Sequence, residues 1–160
     1  MLRAFLPVLF FLATACGRGP GTLHGTEESP FDLRQTRLWR EQRRLVIDAQ
    51  DKETTCGQKL KTGTTIQLVF SLPDGGLPHP GRYAISDVRP VRLVTDTSCA
   101  VSQSVAAEAG EVEVVEVREA VRSMGPEVDL RVNLTFAGAV VQGSLHATTC
   151  AFSAAYCDAN

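Results

Sequence analysis

The side chains able to do chemistry in this 160-residue chain are few: five cysteines, three histidines and scattered carboxylates. The closest approach to a metal set is His146 and Cys150, an H-x3-C spacing that Cys157 and Cys56 could extend to the four ligands zinc takes. Geometry argues against it. His146 lies in a stretch with the alternation of a strand, where residues four apart are about 13 Å apart, whereas two atoms on one zinc lie within roughly 4.5 Å. No metal and no cofactor is expected. His24, His79 and His146 have no sequence-evident Ser or Cys nucleophile partner, since the cysteines are expected to be taken up in disulfides, and His79 sits in Pro78-His79-Pro80, a rigid loop tip.

Lys61-Thr62-Gly63 matches the KTG of penicillin-binding enzymes and β-lactamases, but no S-x-x-K supplies the nucleophile that such an enzyme uses. The tripeptide reads more simply as the turn before a strand. These absences together predict a protein that is not an enzyme. A small hydrolase with a site the sequence does not display is the competing class.

Cys16 is different, because of what precedes it. MLRAFLPVLFFLATACGRGPG carries one positive charge at Arg3, an apolar run from Ala4 to Ala13, and the small residues Thr14 and Ala15. This is the layout of an export signal, too short for the roughly 20 apolar residues of a membrane span. Ala13-Thr14-Ala15-Cys16 resembles the lipobox of bacterial lipoproteins, with Ala13 where Leu is usual. That resemblance covers sixteen residues and says nothing of the rest of the chain. It implies cleavage before Cys16 and acyl chains on the cysteine's sulfur and new amino terminus. The alternative is an ordinary signal cleaved near Ala15 that leaves Cys16 a free thiol. Gly17 lacks the Asp that marks inner-membrane retention in many lipoproteins, which implies the outer membrane, on its periplasmic or surface face.

Setting Cys16 aside leaves Cys56, Cys99, Cys150 and Cys157, an even number that an oxidising compartment would turn into two disulfides. The expected pairing joins Cys56 to Cys150 and Cys99 to Cys157, tying two early loops to the C-terminal segment. Long loops gain most, on the order of 4 kcal/mol in the chain-entropy model. Pairing of neighbours, Cys56 with Cys99 and Cys150 with Cys157, is the alternative.

Residues 16–160 hold the 16 Lys and Arg less Arg3 against 18 Asp and Glu, a slightly acidic balance. A nucleic-acid partner would require a basic surface, so none is expected. The division predicted is a signal at 1–15, the lipidated Cys and a flexible Gly/Pro-rich tether at 16–35, and one disulfide-braced β domain at 36–160. As a loose coil the tether would reach about 25 Å.

The domain itself has the period of strands. Val128, Leu130, Val132, Leu134 and Phe136 alternate with polar residues, Gly138 turns the chain, and VVQGSLHATTC returns with Val141, Leu145 and Ala147 on one face and His146 on the other. Ile66, Leu68, Phe70 and Leu72 alternate likewise before the turn-rich PDGGLPHPG. RLWR and RLVIDA form an early pair with a turn at Glu41 and Gln42, and RYAIS and VRLVT read as two short strands split by residues 87–90. Residues 111–123 fit strand or helix. Four valines in six residues favour a strand from Glu111 to Val117, and their change of phase requires a bulge near Val114. The fold class expected is all-β, an antiparallel β-sandwich or small barrel of about seven strands.

Arg34, Arg37, Arg40, Arg43 and Arg44 crowd around Trp39. Arg37, Arg40, Arg43 and Arg44 are candidates for contact with anionic headgroups or an envelope polymer. The plainer reading is a charged, edge-protecting strand pair anchored by Trp39. These readings combine into an exported, lipid-anchored, non-enzymatic β domain that is expected to bind another envelope component, a protein. A barrel with a cavity for a small apolar ligand is the alternative binder; a filled core would favour a surface partner.

Overall fold

A computed structural model describes residues 20–26, 29–52, 62–96, 98, 100–119 and 125–149. All five cysteines lie outside these residues, and with them the lipidation of Cys16 and both disulfide pairings. So do the signal at 1–15 and the tail after Thr149.

The described residues form eleven strands and one short helix: β1 (Gly21–Thr26), β2 (Ser29–Asp32), β3 (Gln35–Glu41), β4 (Arg44–Gln50), β5 (Gly63–Ser71), β6 (Gly81–Ala84), α1 (Ile85–Val88), β7 (Val91–Thr95), β8 (Val101–Ala106), β9 (Ala109–Arg118), β10 (Glu127–Phe136) and β11 (Ala139–Thr148). They make two antiparallel sheets, one of six strands in the order β2-β1-β11-β10-β9-β6 and one of five in the order β3-β4-β5-β7-β8. The fold is a β-sandwich. Its core is a single cluster drawn from the inner faces of both sheets, with Leu38, Leu45, Ile47, Ile66, Leu68 and Phe70 on one side and Val112, Val128, Leu130, Leu134 and Leu145 on the other. Burying each such side chain stabilises the fold by roughly 1.5–3 kcal/mol.

The β10–β11 hairpin follows the alternation of its sequence. Val128 to Phe136 are buried at every second position, and Ala137 and Gly138 form the turn between Phe136 and Ala139, with Gly138 at φ 74°. In β9 the bulge stands where the valines require it. Glu116 pairs with Asp129 but Val114 pairs with Leu130, so Val115 is left over and is 43% exposed. The bulge keeps Val114 and Val117 toward the core while turning Glu116 and Arg118 outward.

Three expectations are corrected. The first is the tether at 16–35, part of which is strand. β1 pairs with β11, and β2 pairs with β1, with Leu23 and Phe31 buried as their apolar anchors. Gly21 and Gly143 permit this, since a Cβ at either would run into the facing backbone, Ser144 O in one case and Thr22 O in the other. Second, β1, β2 and β8 raise the strands above the expected seven or so. Third, RYAIS is not all strand: α1 starts at Ile85 and carries the chain from the six-stranded sheet to the five-stranded one. Val88 is fully buried, and Arg89 closes the helix in the left-handed region at φ 46°.

The last described residue, Thr149, forms a parallel bridge with Leu38, and Thr36 Oγ1 donates to His146 O. The end of β11 therefore lies along the edge of β3 and joins the two sheets.

Candidate functional site

The hairpin register decides the first group of polar side chains. The two-residue turn sets Asp129 opposite His146 and Glu127 opposite Thr148, and the bulge in β9 sets Glu116 beside Asp129 and Arg118 beside Glu127. All of these project from the outer face of the six-stranded sheet. Arg118 there serves three carboxylates: Nη1 donates to Glu116 at 2.9 Å, Nε to Glu127 at 3.0 Å and Nη2 to Asp129 at 3.0 Å. Burial works against its charge, but the bond to Glu127 and the fields of Asp129, Glu116 and Glu127 outweigh that and hold the guanidinium above its ordinary value. Along the same face Arg131 lies 3.3 Å from Glu113, and Arg82 lies 3.8 Å from Glu111.

His146 closes the group. Its Nδ1 is 2.6 Å from Asp129 Oδ1, and because a carboxylate only accepts, Nδ1 carries the proton. That nitrogen is then no acceptor for Arg118 Nη2, 3.4 Å away. The strand alternation places His146 on the polar face, yet the residue is only 7% exposed, a burial the sequence does not reveal. A His–Asp pair is half of a nucleophilic triad, so the question is what Nε2 can reach. Glu127 Oε2 stands 4.0 Å from it. Ser144 and Thr148, on the same strand face, are each about 7 Å along the chain, outside hydrogen-bond reach. Ser144 Oγ is engaged instead with Thr22 Oγ1 at 3.2 Å. Among the described residues the group is therefore an ion-paired brace across three strands. No set of three or more His, Cys, Asp or Glu side chains among them is arranged to hold a metal ion.

The second group is the arginine cluster, and the structure divides it. Arg37 is fully buried, on the face of β3 opposite Leu38, beside its register partner Asp48, which is also fully buried. Asp48 accepts from Gln67 Nε2 at 3.1 Å, and Gln50 and Thr65 are buried alongside. Arg37 is thus removed from the candidates for membrane or polymer contact: strand alternation turns it to the same side as Trp39, and a buried guanidinium needs polar company rather than a surface ligand. Trp39 is buried as an anchor, but it packs outside the main core cluster and donates Nε1 to Glu41 at 3.1 Å.

Arg40, Arg43 and Arg44 are exposed together at the β3–β4 tip, where Gln42 takes φ 50° to complete the turn. Arg40 donates to Gly75 O at 3.2 Å. Among the described residues no carboxylate forms an ion pair with any of the three. Beside Arg40 opens a cleft of 710 Å³ between the end of β3, the β5–β6 loop and the segments next to the ends of β9 and β10. Among the described residues Arg40, His79 and Glu119 are its polar lining, and Leu77, Pro78, Pro80, Val117 and Pro126 its apolar lining. The loop wall is held by Tyr83, whose hydroxyl donates to His79 O at 2.8 Å while its ring meets Phe70 edge-on at 5.4 Å.

His24 is part of a separate, smaller cleft with Asp32, Arg34 and Asp51. His24 Nδ1 lies 3.3 Å from Asp32 Oδ1, both largely exposed, a pairing worth about 0–1 kcal/mol at most. Burial pushes the Asp51 carboxyl above its ordinary pKa, partly offset by the Thr64 N–H it accepts and by Lys52. The three histidines thus fall at three separate places. Sequence reasoning missed Asp129 and Arg118. The two-residue turn at Ala137-Gly138 was signal enough for Asp129, since it fixes which residue faces His146. Set against protein-family models, curated proteins and solved structures, the chain matches none of them.

Proposed function

We propose that the protein is an exported lipoprotein of the bacterial cell envelope, held to the outer membrane by acyl chains on Cys16, whose β-sandwich binds another envelope protein without catalysing a reaction. The observation that carries this reading is the tip of β3 and β4. Three exposed arginines stand there without a carboxylate partner among the described residues, and one of them, Arg40, lines a cleft with apolar residues in its wall. Charge alone would suit any anionic surface. The apolar residues Leu77, Val117 and Pro126 beside the charge suit a protein segment bearing both acidic and apolar side chains. The continuous core cluster spanning both sheets favours a surface partner over a small ligand held inside.

Purification from cell envelopes with the lipid intact tests the reading, comparing the parent with the Arg40→Ser/Arg43→Ser/Arg44→Ser variant. A stoichiometric partner that stays with the parent and is lost from the variant supports it. Equal retention by both removes the tip as the contact. The anchor is tested separately by Cys16→Ser, which should leave the membrane fraction and take up no labelled fatty acid; unchanged labelling would refute the lipid.

A further inference from the structure

Both sheets contribute to the cleft beside Arg40, and the alternation of their strands decides what lines it. Arg40 follows the core residue Leu38 by two positions on β3, and Glu119 follows Val117, which packs against the core, by two at the end of β9. Each therefore continues the inward row of its own sheet past the last layer of the core, an arginine from the five-stranded sheet and a glutamate from the six-stranded one. Both are exposed, and among the described residues neither forms an ion pair. Arg40 is held against the β5–β6 loop by its bond to Gly75 O. Two opposite charges thus stand on different walls of one cleft, each without a counter-ion among the described residues.

Three of the apolar lining residues are prolines, Pro78, Pro80 and Pro126, which have no backbone N–H to offer a strand laid along them. An occupant is therefore recognised by its side chains rather than by a ladder of backbone bonds. The volume of 710 Å³ falls within the roughly 300–1,000 Å³ of sites that enclose a small molecule, so it admits a few residues of a chain and no folded surface. We infer that the cleft takes a short segment of the partner that carries one acidic and one basic residue with apolar residues between them, the acid meeting Arg40 and the base meeting Glu119. Facing sheets stand about 10 Å apart and an extended chain rises about 3.3 Å per residue, so the two charges are about three residues apart in the segment. Arg40 alone would admit any acidic segment; Glu119 rejects one with acids at both ends. The inference rests on the reading of the arginine tip as the partner contact and adds what the site selects.

Fluorescence anisotropy tests it, with the end-blocked peptides Asp-Leu-Leu-Lys, Asp-Leu-Leu-Glu and Lys-Leu-Leu-Lys, each labelled through a Gly-Gly spacer, against the full chain carrying Cys16→Ser. The mixed peptide should bind this parent about fivefold more tightly than either of the others. Glu119→Lys should turn the preference to the doubly acidic peptide, and Arg40→Glu should turn it to the doubly basic one. Both positions are exposed, so folding is not at stake. If the parent binds the mixed and doubly acidic peptides alike, and Glu119→Lys leaves that ratio unchanged while Arg40→Glu abolishes binding, the tip remains a contact and the role of Glu119 is overturned. If no peptide binds the parent at millimolar concentration, or if Arg40→Glu changes nothing, the cleft is not a site and the inference falls; the purification from cell envelopes then judges the tip separately.

Discussion

The outer face of the six-stranded sheet and the β3–β4 tip are both rich in charge, and they use it in opposite ways. On the sheet face every arginine has a carboxylate: Arg118 has three, Arg131 has Glu113 and Arg82 has Glu111. At the tip, Arg40, Arg43 and Arg44 have none among the described residues. The difference follows from local geometry. Residues opposite one another on adjacent strands are about 5 Å apart at Cβ, so a sheet face pairs its charges through its register. At the tip the register sets Glu41 opposite Arg44, but Glu41 accepts from Trp39 Nε1, and Arg43 stands in the two-residue turn with no residue opposite it. Charges already satisfied within the fold serve stability, whereas charges left open are available to a partner.

The largest stability effect should come from Asp129→Ala. It leaves the His146 Nδ1–H without its acceptor in a nearly buried site and takes one carboxylate from Arg118, a loss of about 1–3 kcal/mol measurable in urea. A change within error would mean that the brace contributes nothing. Arg118→Met should destabilise next, by leaving Glu116, Glu127 and Asp129 to repel one another. Salt is the check here: the penalty should shrink at high ionic strength, and a penalty indifferent to salt would point to lost packing instead.

Asp51 sharpens the contrast, as a carboxylate that burial opposes. Because its folded pKa is raised, the favourable contribution is fully present below the ordinary carboxylate range and is lost as pH rises through the folded value. Asp51→Asn keeps an acceptor for the Thr64 N–H. It should therefore match the parent in acid and exceed it at neutral pH in thermal melts; a less stable variant at neutral pH would show that the charge is welcome. The smallest effect should be at the tip. Changing Arg40, Arg43 and Arg44 to Ser should alter stability by less than about 0.5 kcal/mol, as is usual for exposed positions. If that variant lost as much as Asp129→Ala, the distinction between the two regions would fail.

Much of the sandwich can be read from residues whose side chains alternate against a core. β5, β10 and β11 show this, and the phase change among Val112, Val114, Val115 and Val117 even marks the bulge. β1, β2 and β8 escape for a physical reason: as edge or near-edge strands they each bury little, Leu23 in β1, Phe31 in β2 and half of Val105 in β8. One apolar residue makes no pattern. β1 depends instead on the close backbone approach that Gly21 and Gly143 permit, which composition reads as a loop. Arg37 escapes because charge in sequence suggests surface, while its place on β3, two residues from Trp39, puts it on a buried face. Arg118 could be placed only once the bulge had set its side of β9.

The central claim is that the tip, rather than the sheet face, meets the partner. Site-specific photo-crosslinking in intact envelopes addresses it directly, with the reactive side chain at Arg43 in one variant and at Arg131 in another, both exposed. A discrete protein adduct from position 43, abolished by adding Leu77→Asp in the cleft, with none from position 131, is the result expected. Adducts from position 131 alone, or adducts from position 43 to lipid and to no protein, would contradict it.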